Sequence, residues 1–148
     1  IKIKILFPIL FFLTMLSAFG ATGPKYQPLN LSNPENSLLY IYRPSHFVGA
    51  GSWPEIIMDG KHLGSLKNGG YLVKEIVPGR HKLTSKGNAW NYALPEINIE
   101  FEAIPKETKY VRYLIGASVS GVVGTMVYMN ADNAFHFVTP DPMLQKML

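Results

Sequence analysis

The chain has 148 residues, long enough for one domain with a real core and too short for two of ordinary size. Apolar residues make up 47% and charged residues only 16%, which excludes a disordered chain. The formal charge of +4 includes Lys2 and Lys4; setting them aside leaves 12 basic against 10 acidic residues, too few and too scattered to displace counterions from a nucleic acid. Cysteine is absent, which excludes disulfides, thiolate metal sites, cysteine nucleophiles and a lipid-modified cysteine on this sequence.

Residues 1–20 read as an export signal or membrane anchor. Lys2 and Lys4 precede the apolar run Ile5 to Leu16, and the small residues Ser17, Ala18 and Gly20 follow. A dozen apolar residues fall short of the roughly 20 that a spanning helix needs, which favours the signal. Residues 21–36, rich in Pro, Asn and Ser, have no periodic pattern and read as an extended leader. A β-sandwich domain is expected over 37–140, with a short tail, 141–148, after Pro140 and Pro142.

Ser37 to Arg43, β-branched and aromatic and stopped by Pro44, predicts a first strand that is apolar at nearly every position and therefore central. The loop Ser45 to Trp53 is glycine-rich and carries Phe47 and Trp53. Then come three turn signals: Asp59-Gly60, Asn68-Gly69-Gly70, and Val77-Pro78-Gly79-Arg80. Together they predict a compact β-meander. A two-residue loop at Asp59-Gly60 would pair Met58 with Lys61, Ile57 with His62 and Ile56 with Leu63. A second aromatic loop, Gly87 to Tyr92, carries Trp90 and Tyr92.

Ile97, Ile99, Phe101 and Ala103 alternate with Asn98, Glu100 and Glu102, predicting a strand with one wet face. After a turn at Pro105 to Thr108, Lys109 to Ile115 starts another strand. Tyr113 to Met129 carries no charge and spaces Gly116, Ser120 and Gly124 four apart, as a membrane helix pair would. Its valines and glycines, and its length, favour a hairpin turning near Ser118 to Gly121. Asn130 to Asn133 would then turn the chain into a last strand, Ala134 to Val138. The fold class expected is all-β: a small antiparallel sandwich built from hairpins, behind an N-terminal signal or anchor helix.

Reactive chemistry finds little purchase. His46, His62, His81 and His136 have no metal-ligand spacing. Gly116-Ala117-Ser118-Val119-Ser120 has serine where the second glycine of a nucleophile elbow belongs. Gly116 and Gly121 have the gap of a phosphate loop without its lysine. Glu100 and Glu102 share a strand face, which solvated glutamates commonly do. The expectation is a chain that is not an enzyme, with no catalytic, metal or cofactor residues and no small-molecule substrate. The loop aromatics Phe47, Trp53, Trp90 and Tyr92 are the candidate interaction surface, either docking on a protein or stacking on a sugar, with closure of the sandwich ends the plainer role.

Ile56 to Leu66 (IIMDGKHLGSL), Gly70-Tyr71-Leu72 and Val77 to Leu83 (VPGRHKL) resemble the bacterial envelope domains called domain of unknown function 2846 and, more distantly, PEGA-type surface domains. The likeness covers Ser37 to Tyr113 and includes the Tyr-Arg-Pro end of the first strand and the Lys-Tyr-Val-Arg strand. It implies an exported, often lipid-anchored β-sandwich without catalysis, an accessory part of an envelope assembly such as a secretion or motor complex, in the periplasm or at the outer membrane. Ala21 stands where a lipoprotein signal would place cysteine. Implied partners are other envelope proteins, a second copy of the chain, and a membrane near the N-terminal segment. A glycan- or peptidoglycan-binding module is the alternative, and a hydrolase using Ser118 or the Glu100/Glu102 pair a remote one.

Overall fold

The computed structural model describes residues 23, 29–87, 94–123 and 126–139; of 118–131 only strand backbone is described. The expected signal or anchor helix, Trp90, Tyr92 and the C-terminal tail lie outside these residues. Among the described residues there is no helix, and eight strands follow in order: β1 (Ser37–Tyr42), β2 (Glu55–Met58), β3 (Lys61–Ser65), β4 (Tyr71–Ile76), β5 (Gly79–Lys86), β6 (Ile97–Ala103), β7 (Thr108–Val123) and β8 (Met126–Val138). They form two four-stranded sheets, ordered β4-β1-β7-β8 and β3-β2-β5-β6. The fold is all-β, two sheets packed as a sandwich, with β1 and β7 a parallel pair within an otherwise antiparallel first sheet.

The core lies between the sheets. Leu39 and Ile41 from β1, Val111 and Tyr113 from β7 and Ile76 from β4 meet Ile56 and Met58 from β2, Leu83 from β5, and Phe101 and Ala103 from β6. β1 is buried at all six positions because it has a neighbour strand on each side and cover on both faces, as its continuous apolar sequence requires. β6 shows the alternation its sequence announces, with Asn98, Glu100 and Glu102 exposed between inward apolar residues.

Several turns behave differently from expectation. Asp59 and Gly60 both have positive φ, 51° and 77°, as a type I′ hairpin demands, and Met58–Lys61 and Ile57–His62 pair as expected. Ile56, however, pairs with Gly64 and not Leu63, because β3 carries a bulge. Leu63 is the extra residue, and Gly64 beside it has φ 152°, where an added Cβ would sit 3.1 Å from the Leu72 side chain, so glycine suits the position that follows the bulge.

The meander is the larger correction. Asn68-Gly69-Gly70 does form a turn, closed by the Gly70 amide donating to the Lys67 carbonyl at 2.9 Å with Gly69 at φ 70°. It is a corner between sheets, not a hairpin: β3 lies in the second sheet and β4 in the first. Val77-Pro78-Gly79 returns the chain to the second sheet, where β5 pairs with β2. The buried backbone of β1 must be paired along both edges, and with β7 on one edge β4 satisfies the other by leaving its sequence neighbours to flank β1.

The 113–129 segment is stranded, but its expected turn near Ser118 to Gly121 is absent. β7 runs through these residues with a register shift between Val119 and Gly121, and reversal falls between the paired Val123 and Met126. The small residues there are accommodated as a bulge in a continuing ladder. Asn130 to Asn133 is likewise no turn; Ala131, Asp132 and Asn133 lie in β8 opposite Ala117, Gly116 and Ile115.

The parallel pairing of β1 with β7 fixes the two ends of the molecule. At one end β1 runs through Arg43 and Pro44 into the loop 45–53, and β7 continues past its β1 partners with β8 as a two-stranded ribbon. At the other end lie the Asp59-Gly60 hairpin, the Val77–Gly79 corner and the turn before β7.

Candidate functional site

The feature that most resembles a built site is the loop after β1. Arg43 closes the first strand and is 2% exposed. Its guanidinium donates to the carbonyls of Ser52 at 2.6 Å, Gly49 at 2.5 Å and Leu66 at 3.4 Å. Burial pushes its pKa below the ordinary value and neighbouring Tyr113 opposes that, yet a guanidinium remains charged. A buried cation is tolerable only when its donors are spent, and here backbone carbonyls take them.

The loop is tied at three further points. The His46 amide donates to Asn68 Oδ1 at 3.0 Å, the Leu66 amide to the Pro54 carbonyl at 2.8 Å, and the loop closes on itself through Ala50 N to Phe47 O and Ser52 N to Gly49 O. Gly49 has φ 75°, and a Cβ there would fall 2.6 Å from Ile115 Cγ2, so the loop backbone lies directly on β7. On this fixed base Phe47 is 97% exposed and Val48 50% exposed. Trp53 is half-buried at the loop's end, with Lys67 Nζ 5.2 Å from its ring centroid. The structure thus places Phe47 and Trp53 on one loop with different roles: a bare tip and a covered base.

The other candidates disperse. Glu100 and Glu102 face solvent on β6, paired across the ladder with Lys82 and Arg80 of β5. Ser118 sits within β7, opposite Asn130, and not at a strand-to-helix elbow. Of the histidines, His62 meets Glu55 on the second sheet's outer face, His136 lies on β8 opposite Arg112, and His46 is in the tip loop. Among the described residues no group of three metal-ligating side chains converges. An open cleft of about 400 Å³ lies between the start of β7 and the end of β8, lined by Tyr110, Phe137, Thr108 and the Lys109–Glu107 ion pair, 2.9 Å apart.

Three polar devices escaped sequence reasoning. His81, nearly buried on β5, has Nδ1 2.7 Å from Asp59 Oδ2 and Nε2 2.8 Å from the Val77 carbonyl. Both ring nitrogens face oxygen acceptors, which suits the imidazolium. Burial would depress its pKa, but Asp59, the Val77 carbonyl and Glu102 outweigh it and raise it. Burial works to raise Asp59, and the Lys82 amide, His81 and Lys61 more than offset this, leaving it below its ordinary value. The pair ties the β2–β3 hairpin to the β4–β5 corner.

Glu75 of β4 accepts from Ser32 Oγ at 2.7 Å, the Ser32 amide at 2.9 Å, the Asn36 side-chain amide at 2.7 Å and the Asn33 amide at 3.0 Å. These donors pull its carboxyl down to about 2 and strap residues 32–36 against the sheet. Leu29 continues the strap, its amide donating to Tyr40 Oη at 2.8 Å. Between the sheets, Tyr113 Oη accepts from Asn133 Nδ2 at 2.8 Å and Ser85 Oγ at 3.1 Å. For the buried Arg43, the sequence sign is a cation at the end of an otherwise apolar strand.

Fold and site together define a two-sheet β-sandwich that displays a rigidly based apolar tip. The family model for proteins of unknown function DUF2846 matches residues 33–126, more than half the chain. The chain belongs to that family. No curated protein matches it.

Proposed function

We propose that this protein is a non-catalytic accessory module of the bacterial cell envelope, exported and acting as a subunit of a larger assembly. The observation that carries the reading is the Phe47–Val48 tip: a bare aromatic held on a loop whose backbone is locked by a buried arginine is a docking anchor whose ordering cost is met before binding. The outer strands of the two sheets offer further docking through their backbone edges. An N-terminal sequence of export-signal character and the low charge of the chain support an envelope address.

The glycan-binding reading draws less support, because the Trp53 ring carries the Lys67 ammonium and is half-buried. The hydrolase reading loses the Glu100/Glu102 pair to cross-strand basic partners on a solvent face. Purification from gently solubilised membranes at native abundance tests the proposal: the chain should migrate with other envelope proteins in fixed ratio, and a strictly monomeric species at every step overturns it.

A further inference from the structure

We infer that β8 pairs edge to edge with β8 of a second copy of this chain, antiparallel about a two-fold axis at Ala134, so that the two first sheets join into one continuous sheet. The inference rests on the edge-docking part of the reading above, takes one edge and one occupant, and uses nothing of the Phe47 loop.

Among the described residues four strands stand at sheet edges, β4 and β8 in the first sheet and β3 and β6 in the second. A strand edge leaves backbone amides and carbonyls unpaired, and folded chains guard it with shortness, charge, proline or a bulge. β3 is five residues long, begins at Lys61 and is bulged at Leu63. β4 has six residues and carries Lys74 and Glu75, while β6 has seven and carries Glu100 and Glu102. β8 runs for 13 residues without lysine or proline, and the irregularity beside it falls in β7, between Val119 and Gly121. Its ionisable residues are Asp132 and His136.

Those two residues specify the partner. When two copies of one strand meet about a two-fold axis, each residue lies opposite a residue of the same face, so the positions that meet differ by an even number. β6 has two acids and no base, and β3 has Lys61 and His62 and no acid, so each would meet its own charge. In β4 the acid and the base are adjacent and point to opposite faces. In β8 the acid and the imidazole stand four apart, share a face and are both exposed. With the axis at Ala134, Asp132 of each copy lies opposite His136 of the other, and the contact is made twice. An axis at Asp132 would instead oppose two carboxylates, and one at His136 two imidazoles.

The neighbouring strand reinforces this register. Across the β7–β8 ladder Arg112 lies opposite His136 and Gly116 opposite Asp132, so one row of this face is basic and another acidic. The two-fold axis lays each row against the other. The Asp132 carboxylate accepts the Asn133 amide at 2.8 Å, and a carboxylate has room for further donors such as an imidazole N–H. Glu107 and Lys109, the next charges along β7, already bond to each other at 2.9 Å. The new ladder would span residues 130–138, and Phe137, 43% exposed at the rim of the core, falls within it. Backbone hydrogen bonds along the edge supply the affinity and the paired charges set the register.

The absence of cysteine allows a direct test on the purified full chain in mild detergent. Cα atoms of directly opposed residues in an antiparallel ladder lie about 4.5–5.5 Å apart, within disulfide range, so Ala134→Cys should form a disulfide-linked dimer under copper–phenanthroline. Glu100→Cys, on the β6 edge, should remain monomeric, and the unsubstituted chain should sediment as a dimer at micromolar concentration. Adding His136→Glu to Ala134→Cys opposes two carboxylates and should slow cross-linking roughly tenfold, and adding Asp132→Lys as well should restore it. An unsubstituted chain that sediments as a monomer throughout, equal cross-linking at 134 and 100, or cross-linking indifferent to His136→Glu overturns the inference. The chain is alone in this assay, so the result is independent of whether it migrates with other envelope proteins, and the two proposals fail separately.

Discussion

Arg43→Met removes a guanidinium that donates to three backbone carbonyls while leaving a flexible apolar side chain of similar length in its place. Each hydrogen bond from a charged donor contributes about 1.5–3 kcal/mol. Against that, the substitution relieves the cost of burying an ion, and the loop 45–53 can swing outward and rehydrate its carbonyls. The net loss expected is about 2–4 kcal/mol, set by the two short contacts to Ser52 and Gly49. For a domain of this size that lowers Tm by roughly 10–25 °C. Arg43→Lys should lose a similar amount, since one ammonium cannot reach carbonyls spread around a planar fork. Thermal unfolding gives the global number, and amide exchange should show protection vanishing at Ala50 and Ser52. A Tm loss below about 3 °C with those amides still protected would refute the claim that Arg43 holds the tip.

Folding raises the His81 pKa, so its stabilising contribution is complete below the unfolded value of 6.5 and is lost as pH rises through the higher folded value. Urea midpoints measured from pH 6 upward should fall in the native chain and stay flat in His81→Gln; parallel curves would contradict the imidazolium assignment. Glu75 behaves with the opposite sign: its contribution is present above its unfolded value of 4.5 and disappears as pH falls toward about 2. Glu75→Ala should therefore speed amide exchange at Ser32 and Asn33 at neutral pH, and an unchanged rate would show that the carboxylate does not hold the strap. Tyr113→Phe keeps the ring but strands the Ser85 hydroxyl and one N–H of the Asn133 side chain, whose Nδ2 keeps its bond to the Pro95 carbonyl; calorimetry should record about 1–3 kcal/mol of lost stability. A loss within 0.5 kcal/mol, the range of ordinary surface changes, would mean that water reaches the site.

Local sequence carried much of the strand inventory. The unbroken apolar run of β1 announced burial on both faces, the alternation in β6 separated its wet face from its dry one, and Asp59-Gly60 encoded the φ signs of its hairpin. What it did not carry was sheet membership. A glycine-rich turn specifies that the chain bends, and the bend at Asn68-Gly69-Gly70 looks alike whether the next strand pairs with β3 or crosses to β1. That choice is made by β1's need for a second neighbour, a long-range demand. The ribbon misled for a related reason: Ser118 to Gly121 has turn-like composition, but a paired partner strand lets the ladder absorb it as a bulge. Phe47 and Trp53 were legible as loop aromatics, and their division into bare tip and covered base was not, because it depends on Arg43 and Lys67 arriving from outside the loop. Glu75 and His81 carried no motif, since their partners lie 39 to 43 and 22 residues away.

Hydrogen exchange of the full chain in native membrane fragments, compared with the detergent-solubilised chain, addresses most directly whether the Phe47–Val48 tip is the surface that docks in the envelope. The footprint should cover residues 44–53 and the adjoining part of β7, while the turns at 59–60, 77–79 and 104–107 exchange as in the solubilised chain. Protection centred on those charged turns, or no footprint at either end, would contradict the account.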